Sequence, residues 1–213
     1  MSYGEILVSQ NEFLQKLKTI KAFVFDWDGV FNDGSKHASG GSAFSEADSM
    51  GTNMLRFSYW LQKKSLPFTF IVSGANNPTA IAFAQREHFS GAIIGSKNKI
   101  VSFDMITKQF QISWEEMAFV YDDILDLGAA EKCGLKICIK REASPEFEAY
   151  VRDKNLADYI SNNEGGRHAV REVCELLMKH YENYSETVSL RASNSAEYAK
   201  YLIERNNWET VLF

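Results

Sequence analysis

Apolar residues in this chain fall into short unbroken runs separated by amphipathic stretches. Ala22-Phe23-Val24-Phe25 and Phe68-Thr69-Phe70-Ile71-Val72 are rich in aromatic and β-branched side chains, the pattern of strands buried on both faces. Ala92-Ile93-Ile94, Met117-Ala118-Phe119-Val120-Tyr121 and Leu135-Lys136-Ile137-Cys138-Ile139 repeat it, and Tyr159-Ile160 is a shorter example. Between these runs the apolar spacing changes to three and four. Phe13, Leu14, Leu17 and Ile20 predict a helix over 11–20 capped by Asn11, and Met50, Met54, Leu55, Phe57, Trp60 and Leu61 predict another over 49–64. Pro78 after Asn77 suits a helix start, and that helix runs to about His88. Further helices are expected up to Thr107, up to Cys133 with Gly134 as its stop, from Ser144-Pro145 to about Lys154, and from Gly166 to Tyr184. Ser113-Trp114-Glu115-Glu116 has the form of a capping box opening a single turn.

This alternation of strand and helix predicts an α/β fold with a doubly wound parallel sheet covered on both faces. Ser39-Gly40-Gly41-Ser42 suggests the tip of a small β-hairpin between strands at 35–38 and 42–45. Residues 1–10 carry no clear pattern. Ser185–Asn194 reads as a linker, and Ser195–Arg205 as a helix with Tyr198, Tyr201 and Leu202 on one face. A main domain over 1–184 and a helical tail over 185–213 are therefore expected.

Composition narrows the function classes. The net charge of −5 argues against nucleic acid as a partner, so an anionic substrate must be met by local positive charge or by a metal. Cys133, Cys138 and Cys174 lack metal-ligand spacing and read as reduced thiols of a cytoplasmic protein. No basic start followed by an apolar run marks a secretory signal, and no run approaches the ~20 apolar residues of a membrane span.

The candidate chemistry sits at strand ends. Asp26 and Asp28 close the first buried run, Ser73 and Gly74 close the second, Lys99 follows the third, and Asp122, Asp123 and Asp126 follow the fourth. In a doubly wound sheet such ends converge at one edge. Clustered carboxylates repel, and a hard cation such as Mg2+, which prefers oxygen ligands and is often shared with phosphate, relieves that repulsion. Lysine and serine can hold phosphate oxygens, one carboxylate can attack phosphorus, and a second can move the leaving-group proton.

In this order, Asp26-Trp27-Asp28-Gly29-Val30, Val72-Ser73-Gly74, Lys99 and Asp122-Asp123 with Asp126 resemble the four motifs of the haloacid-dehalogenase-type (HAD) phosphatase superfamily. Asp33-Gly34, the Gly95 to Lys99 spacing, Ala157-Asp158-Tyr159-Ile160 and Gly165-Gly166-Arg167 followed by Ala169-Val170-Arg171-Glu172-Val173 are similar to its capless 3-deoxy-manno-octulosonate 8-phosphate phosphatase-like subfamily. The resemblance covers about residues 12–184 and implies a HAD-like Rossmannoid fold with no large cap domain. It implies an Mg2+-dependent phosphatase acting on a small phosphorylated substrate, an acidic sugar phosphate of the ulosonate or nonulosonate kind, through an aspartyl-phosphate. Asp26 would be nucleophile and metal ligand, and Asp28 general acid/base and a metal ligand through its carbonyl. Ser73, Gly74 and Lys99 would hold phosphate. Asp122 would complete the metal site, with Asp123 and Asp126 in or near the second shell. A homotetramer whose hairpin and tail reach neighbouring subunits is the assembly implied.

The chain departs from that pattern at four places. Ala75 stands where the subfamily usually has arginine, Tyr121 where it has glycine, Trp27 where it has a smaller aliphatic residue, and Phe31-Asn32 where it has a Leu-Thr-like pair. The alternatives these leave are a catalytically weak or inactive interaction domain in sugar-acid biosynthesis, and a phosphatase or phosphotransferase for another small metabolite.

Overall fold

The computed structural model describes residues 3–36 and 42–213. In chain order its elements are β1 (Glu5–Ile6), α1 (Gln10–Thr19), β2 (Ala22–Phe25), α2 (Glu46–Lys63), β3 (Phe68–Ser73), α3 (Pro78–Arg86), β4 (Gly91–Ile94) and α4 (Lys99–Phe110). They continue with β5 (Met117–Tyr121), α5 (Leu127–Ala130), β6 (Leu135–Lys140), α6 (Pro145–Asp153), β7 (Tyr159–Glu164), α7 (Ala169–His180), α8 (Tyr184–Ala192), α9 (Ala196–Asn206) and β8 (Val211–Leu212). Single 3-10 turns at Trp114–Glu116 and Ile124–Asp126 flank β5.

The strands form one sheet in the order β1-β7-β6-β5-β2-β3-β4-β8, parallel throughout except for β1 against β7. The central strands β2 and β5 are buried at every position, so one core lies on each face of the sheet. From β2 the chain winds outward through β3 and β4, then crosses back to β5 on the other side and continues to β6 and β7. The reversal opens a crevice at the C-terminal ends of β2, β3 and β5.

Several boundaries differ from expectation. Ser9, not Asn11, caps α1, and Ser45 starts α2 three residues early by accepting the Ala47 N–H at 3.0 Å. The segment from Gly166 does not start as helix: His168 takes a left-handed conformation and α7 begins at Ala169. The helix expected up to Cys133 shortens to α5. The hairpin expected at 35–45 lies partly outside the described residues, and its described flanks, Ser35–Lys36 and Ser42–Ser45, are not strand. The Ser113 capping box and its single turn form as expected.

The stretch read as a linker is helix α8, held at its start by the Thr187 hydroxyl donating to the Asn183 carbonyl at 2.7 Å. α9 follows with Ser195 as its cap. Both pack on α2 of the same chain. Tyr198 and Tyr201 join Phe57 and Trp60 in a third apolar cluster, and the Tyr201 hydroxyl donates to the Asn53 carbonyl at 3.1 Å. β8 then pairs with β4 and extends the sheet. Among the described residues no helix is long and apolar enough to cross a membrane.

Candidate active site

The crevice holds a cavity of about 510 Å3 lined by Asp26, Asp28, Lys99, Asp122 and Asp126, among others. Asp26 follows β2 directly, and its N–H donates to the Val120 carbonyl at 2.9 Å, which ties the end of β2 to β5. Its carboxylate pairs with the Lys99 ammonium. Lys99 is the first residue of α4, where a positive charge opposes the helix dipole. It is nearly fully buried there, and three groups offset the cost: Asp26, the Val72 carbonyl, and Asp126 at 3.4 Å. Burial alone would lower the Lys99 pKa, but Asp26 and Asp126 hold it above the ordinary lysine value.

Asp122 follows β5, with its side chain 2% exposed. The 3-10 turn after it brings Asp126 back beside it. That turn is closed by Asp123, which accepts from the Ile124 N–H at 2.7 Å, while Asp126 accepts from the Asp123 N–H at 3.3 Å. Carboxylate oxygens of Asp26, Asp122 and Asp126 all lie within 4.8 Å of one another. Burial, and then the charge of Asp26, push Asp122 up to about 8 and Asp126 up to about 7. Burial raises Asp26 too, against the pull of Lys99. One oxygen of Asp122 and one of Asp126 are buried without a hydrogen-bond donor. Three clustered carboxylates, two of them with a buried oxygen that meets no donor, offer oxygen ligands only and fit a hard divalent cation.

Asp28 stands apart from this trio. Its carboxylate accepts from the Ser42 hydroxyl at 2.7 Å, and the Lys36 ammonium lies 3.6 Å away. Ser42 in turn accepts from the Trp27 indole at 3.0 Å and from the Asn77 amide at 2.8 Å, so the loop after β2 and the cap of α3 together hold this hydroxyl against Asp28. The expected metal set of Asp26, Asp28 and Asp122 is thus joined by Asp126, whose carboxylate reaches the cluster, while the Asp28 carboxylate faces Ser42. Ser73 does not line the cavity: its hydroxyl donates to the Ala75 carbonyl at 3.2 Å and closes the turn, leaving Gly74 and Ala75 at the wall. Asp123, at the cavity edge, serves as the cap of its turn.

The departures at Trp27 and Tyr121 turn away from the cavity. Trp27 is fully buried and stacks on Phe31 with ring centroids 4.8 Å apart. Tyr121 is fully buried on the opposite face, its hydroxyl donating to the Leu156 carbonyl at 2.8 Å. Gly29 must be glycine twice over: its φ is +86°, and a Cβ would run into the Asp122 carboxylate. Gly165 is pressed against the carbonyls of Gly29 and Asn32, so the late Gly-Gly segment braces the loop carrying Asp28.

Two site residues escaped the sequence reading. Ser42 sits in a Gly-Ser run that reads only as a turn. Arg141, just past β6, lines the cavity and pairs with Asp122, but it belongs to no recognised motif.

No protein-family model matches the chain. Among curated proteins it is similar to the 3-deoxy-D-manno-octulosonate 8-phosphate phosphatase KdsC of Salmonella typhi, 36% identical over 84 residues; the match spans 39% of this chain and only 41% of that relative. The corresponding protein of Haemophilus influenzae is 27% identical over 78% of this chain and 86% of its own length. A solved Moraxella catarrhalis 3-deoxy-D-manno-octulosonate 8-phosphate phosphatase, in complex with magnesium, phosphate and KDO, superposes with a TM-score of 0.69 and 29% identity, covering 85% of this chain and 98% of that one. The fold is also similar to that of a solved Legionella pneumophila protein described as a HAD superfamily hydrolase, 24% identical with a TM-score of 0.70. The chain is thus KdsC-like, similar in sequence and in fold to the 3-deoxy-D-manno-octulosonate 8-phosphate phosphatases.

Proposed function

We propose that this chain is a phosphomonoester hydrolase that uses Mg2+ and an aspartyl-phosphate intermediate, with a small acidic sugar phosphate as substrate. The observation that carries this reading is the buried trio of Asp26, Asp122 and Asp126 against Lys99 at the open end of a topological switch point. The Moraxella relative, which holds magnesium, phosphate and KDO, supports the same substrate class.

Asp26, Asp122 and the carbonyl of Asp28 would hold the cation, with Asp126 beside them. The cation supplies charge neutralisation for the phosphoryl oxygens. Lys99 and the turn at Gly74 bind the phosphate. An oxygen of Asp26 attacks phosphorus, the bond from phosphorus to the ester oxygen breaks, and protonated Asp28 gives its proton to the departing alkoxide. Asp28, now a carboxylate, takes a proton from a water whose oxygen attacks the acyl-phosphate. The bond from phosphorus to Asp26 breaks, leaving inorganic phosphate and a free Asp26 carboxylate. Ser42 orients Asp28 for both transfers through its 2.7 Å hydrogen bond.

In this reading the catalytic unit is residues 1–184, and residues 185–213 cover α2. Three buried free cysteines suit a reducing, cytoplasmic setting, and a homotetramer follows from the subfamily resemblance. Light scattering on the purified protein tests the assembly. Phosphate release with Mg2+ from a panel of sugar phosphates, including eight- and nine-carbon ulosonic acid phosphates, tests the activity beside an Asp26→Asn control. Turnover of acidic sugar phosphates that vanishes in a folded control is the expected result. Silence across the panel together with no binding of Mg2+ would favour the interaction-domain reading.

A further inference from the structure

We propose that Arg141 is the residue that recognises a second anionic group on the substrate, the carboxylate of a sugar acid; this rests on the phosphatase reading above. The cations lining the cavity are Lys36, Lys97, Lys99 and Arg141. Lys99 is held beside the nucleophile by Asp26, the Val72 carbonyl and Asp126, which assigns it to the phosphate rather than to a second anionic group. Lys36 is largely exposed and leans toward Asp28, and Lys97 is exposed. The turn after β3 contributes Ala75, which has no charge, at the position where the subfamily resemblance leads one to expect an arginine.

Arg141 fills that deficit from another strand. It follows Lys140, the last residue of β6, and β6 is the neighbour of β5, which delivers Asp122. Its Nη2 pairs with Oδ2 of Asp122 and lies over the Cα of Gly29, and a methyl group at Gly34 would stand 3.4 Å from the same nitrogen. The guanidinium therefore reaches across the loop that carries Asp28. Oδ1 of Asp122, the orphaned oxygen, is left for a cation, so one carboxylate can anchor the arginine and serve the metal cluster together. Among the described residues Asp122 is the one acceptor bonded to the Arg141 side chain. A guanidinium has five N–H donors, so most of the fork stays unused, and the side chain is 33% exposed. A planar fork held at one corner suits bidentate capture of a carboxylate, a geometry that a lysine ammonium does not offer.

The test compares Arg141→Gln and Arg141→Lys with the parent protein. The readouts are kcat/KM for a carboxylate-bearing sugar phosphate and for a neutral hexose phosphate, together with calorimetric affinity for Mg2+. Arg141→Gln is expected to lower the acid-to-neutral ratio by about tenfold or more, mainly through KM of the acidic ester, with Arg141→Lys in between. If both esters lose activity together, or if the loss follows weakened Mg2+ binding, Arg141 only supports Asp122 and the proposal fails. An unchanged ratio also overturns it. A parent protein that hydrolyses neither ester overturns the phosphatase reading itself. Calorimetric titration of the free sugar acid against its neutral analogue then still judges Arg141, which fails if Arg141→Gln leaves their affinity difference unaltered.

Discussion

Replacing Asp122 with asparagine separates the stability of the site from its use. In the metal-free protein this carboxyl is buried beside two others, and its pKa stands near 8 against an ordinary 3.8. The folded state therefore binds more protons than the unfolded state between about pH 4 and pH 8, and stability falls as pH rises through that window. At pH 7 the mismatch amounts to about three pH units, or a ceiling of about 4 kcal/mol at ~1.4 kcal/mol per unit. The neutral amide has no such cost. Its oxygen can still accept from Arg141, and its NH2 can point to the place where Oδ1 now has no partner. The loss of charge pairing with Arg141 offsets part of the gain, so a net stabilisation of about 1–3 kcal/mol is expected, a rise of several degrees in Tm for a chain of this size. Added Mg2+ should act in the opposite sense. It raises the Tm of the parent by binding the native state, and this rise should largely vanish in the variant. Thermal unfolding at pH 7, with chelator and with millimolar Mg2+, reads both effects. A variant less stable than its parent without metal, yet raised equally by Mg2+, would refute the view that the trio is a strained cation site.

Asp48, fully buried on α2, is not among the cavity-lining residues; burial pushes its pKa up to about 6 although the Arg171 N–H donates to it at 2.8 Å. The Asp48 share of the parent's stability loss should develop between about pH 4 and pH 6 and then level off, so Asp48→Asn should flatten the slope in that range and gain up to about 3 kcal/mol at pH 7, as read by urea melts across pH. Ser42→Ala removes the hydroxyl under Asp28, so kcat should drop roughly tenfold with a smaller change in KM, measured by steady-state phosphate release. Tyr201→Ala opens the cluster of Phe57, Trp60 and Tyr198 and strands the Asn53 carbonyl, costing about 3–5 kcal/mol in urea unfolding. An unchanged midpoint would show that the tail contributes nothing to the fold.

What was legible in the sequence follows from how each feature is encoded. The central strands announce themselves because a strand buried on both faces must be apolar at every position, and the polar residue that ends it marks the sheet edge. Asp26 and Asp122 were found in this way and Lys99 from its spacing after the third run, and the fold brings all three to one cavity. β1 and β8 are two residues each, too short for any period to show, and they exist because a sheet edge is there to pair with. α8 has few apolar positions and read as a linker; it is helical because α2 offers it a surface. Asp126 enters the carboxylate trio only because a 3-10 turn folds it back, and Ser42 and Arg141 arrive from segments distant in sequence. Such residues carry no local signal, since their role depends on which side chains meet. Tyr121 is the instructive case, because its direction was open from the motif yet is determined by pleating. Successive side chains along a strand point to opposite faces. Once Asp122 turns into the cavity, the residue before it turns away, and a bulky ring where the subfamily has glycine is absorbed by the core around Leu156. The same rule spares the site from Trp27, which sits between two cavity-facing aspartates and points into the aromatic cluster instead. Among the departures from the subfamily pattern, Ala75 is the one that reaches the cavity wall, and the chemistry that distinguishes this chain is therefore concentrated where a charge is missing there and where Arg141 supplies one.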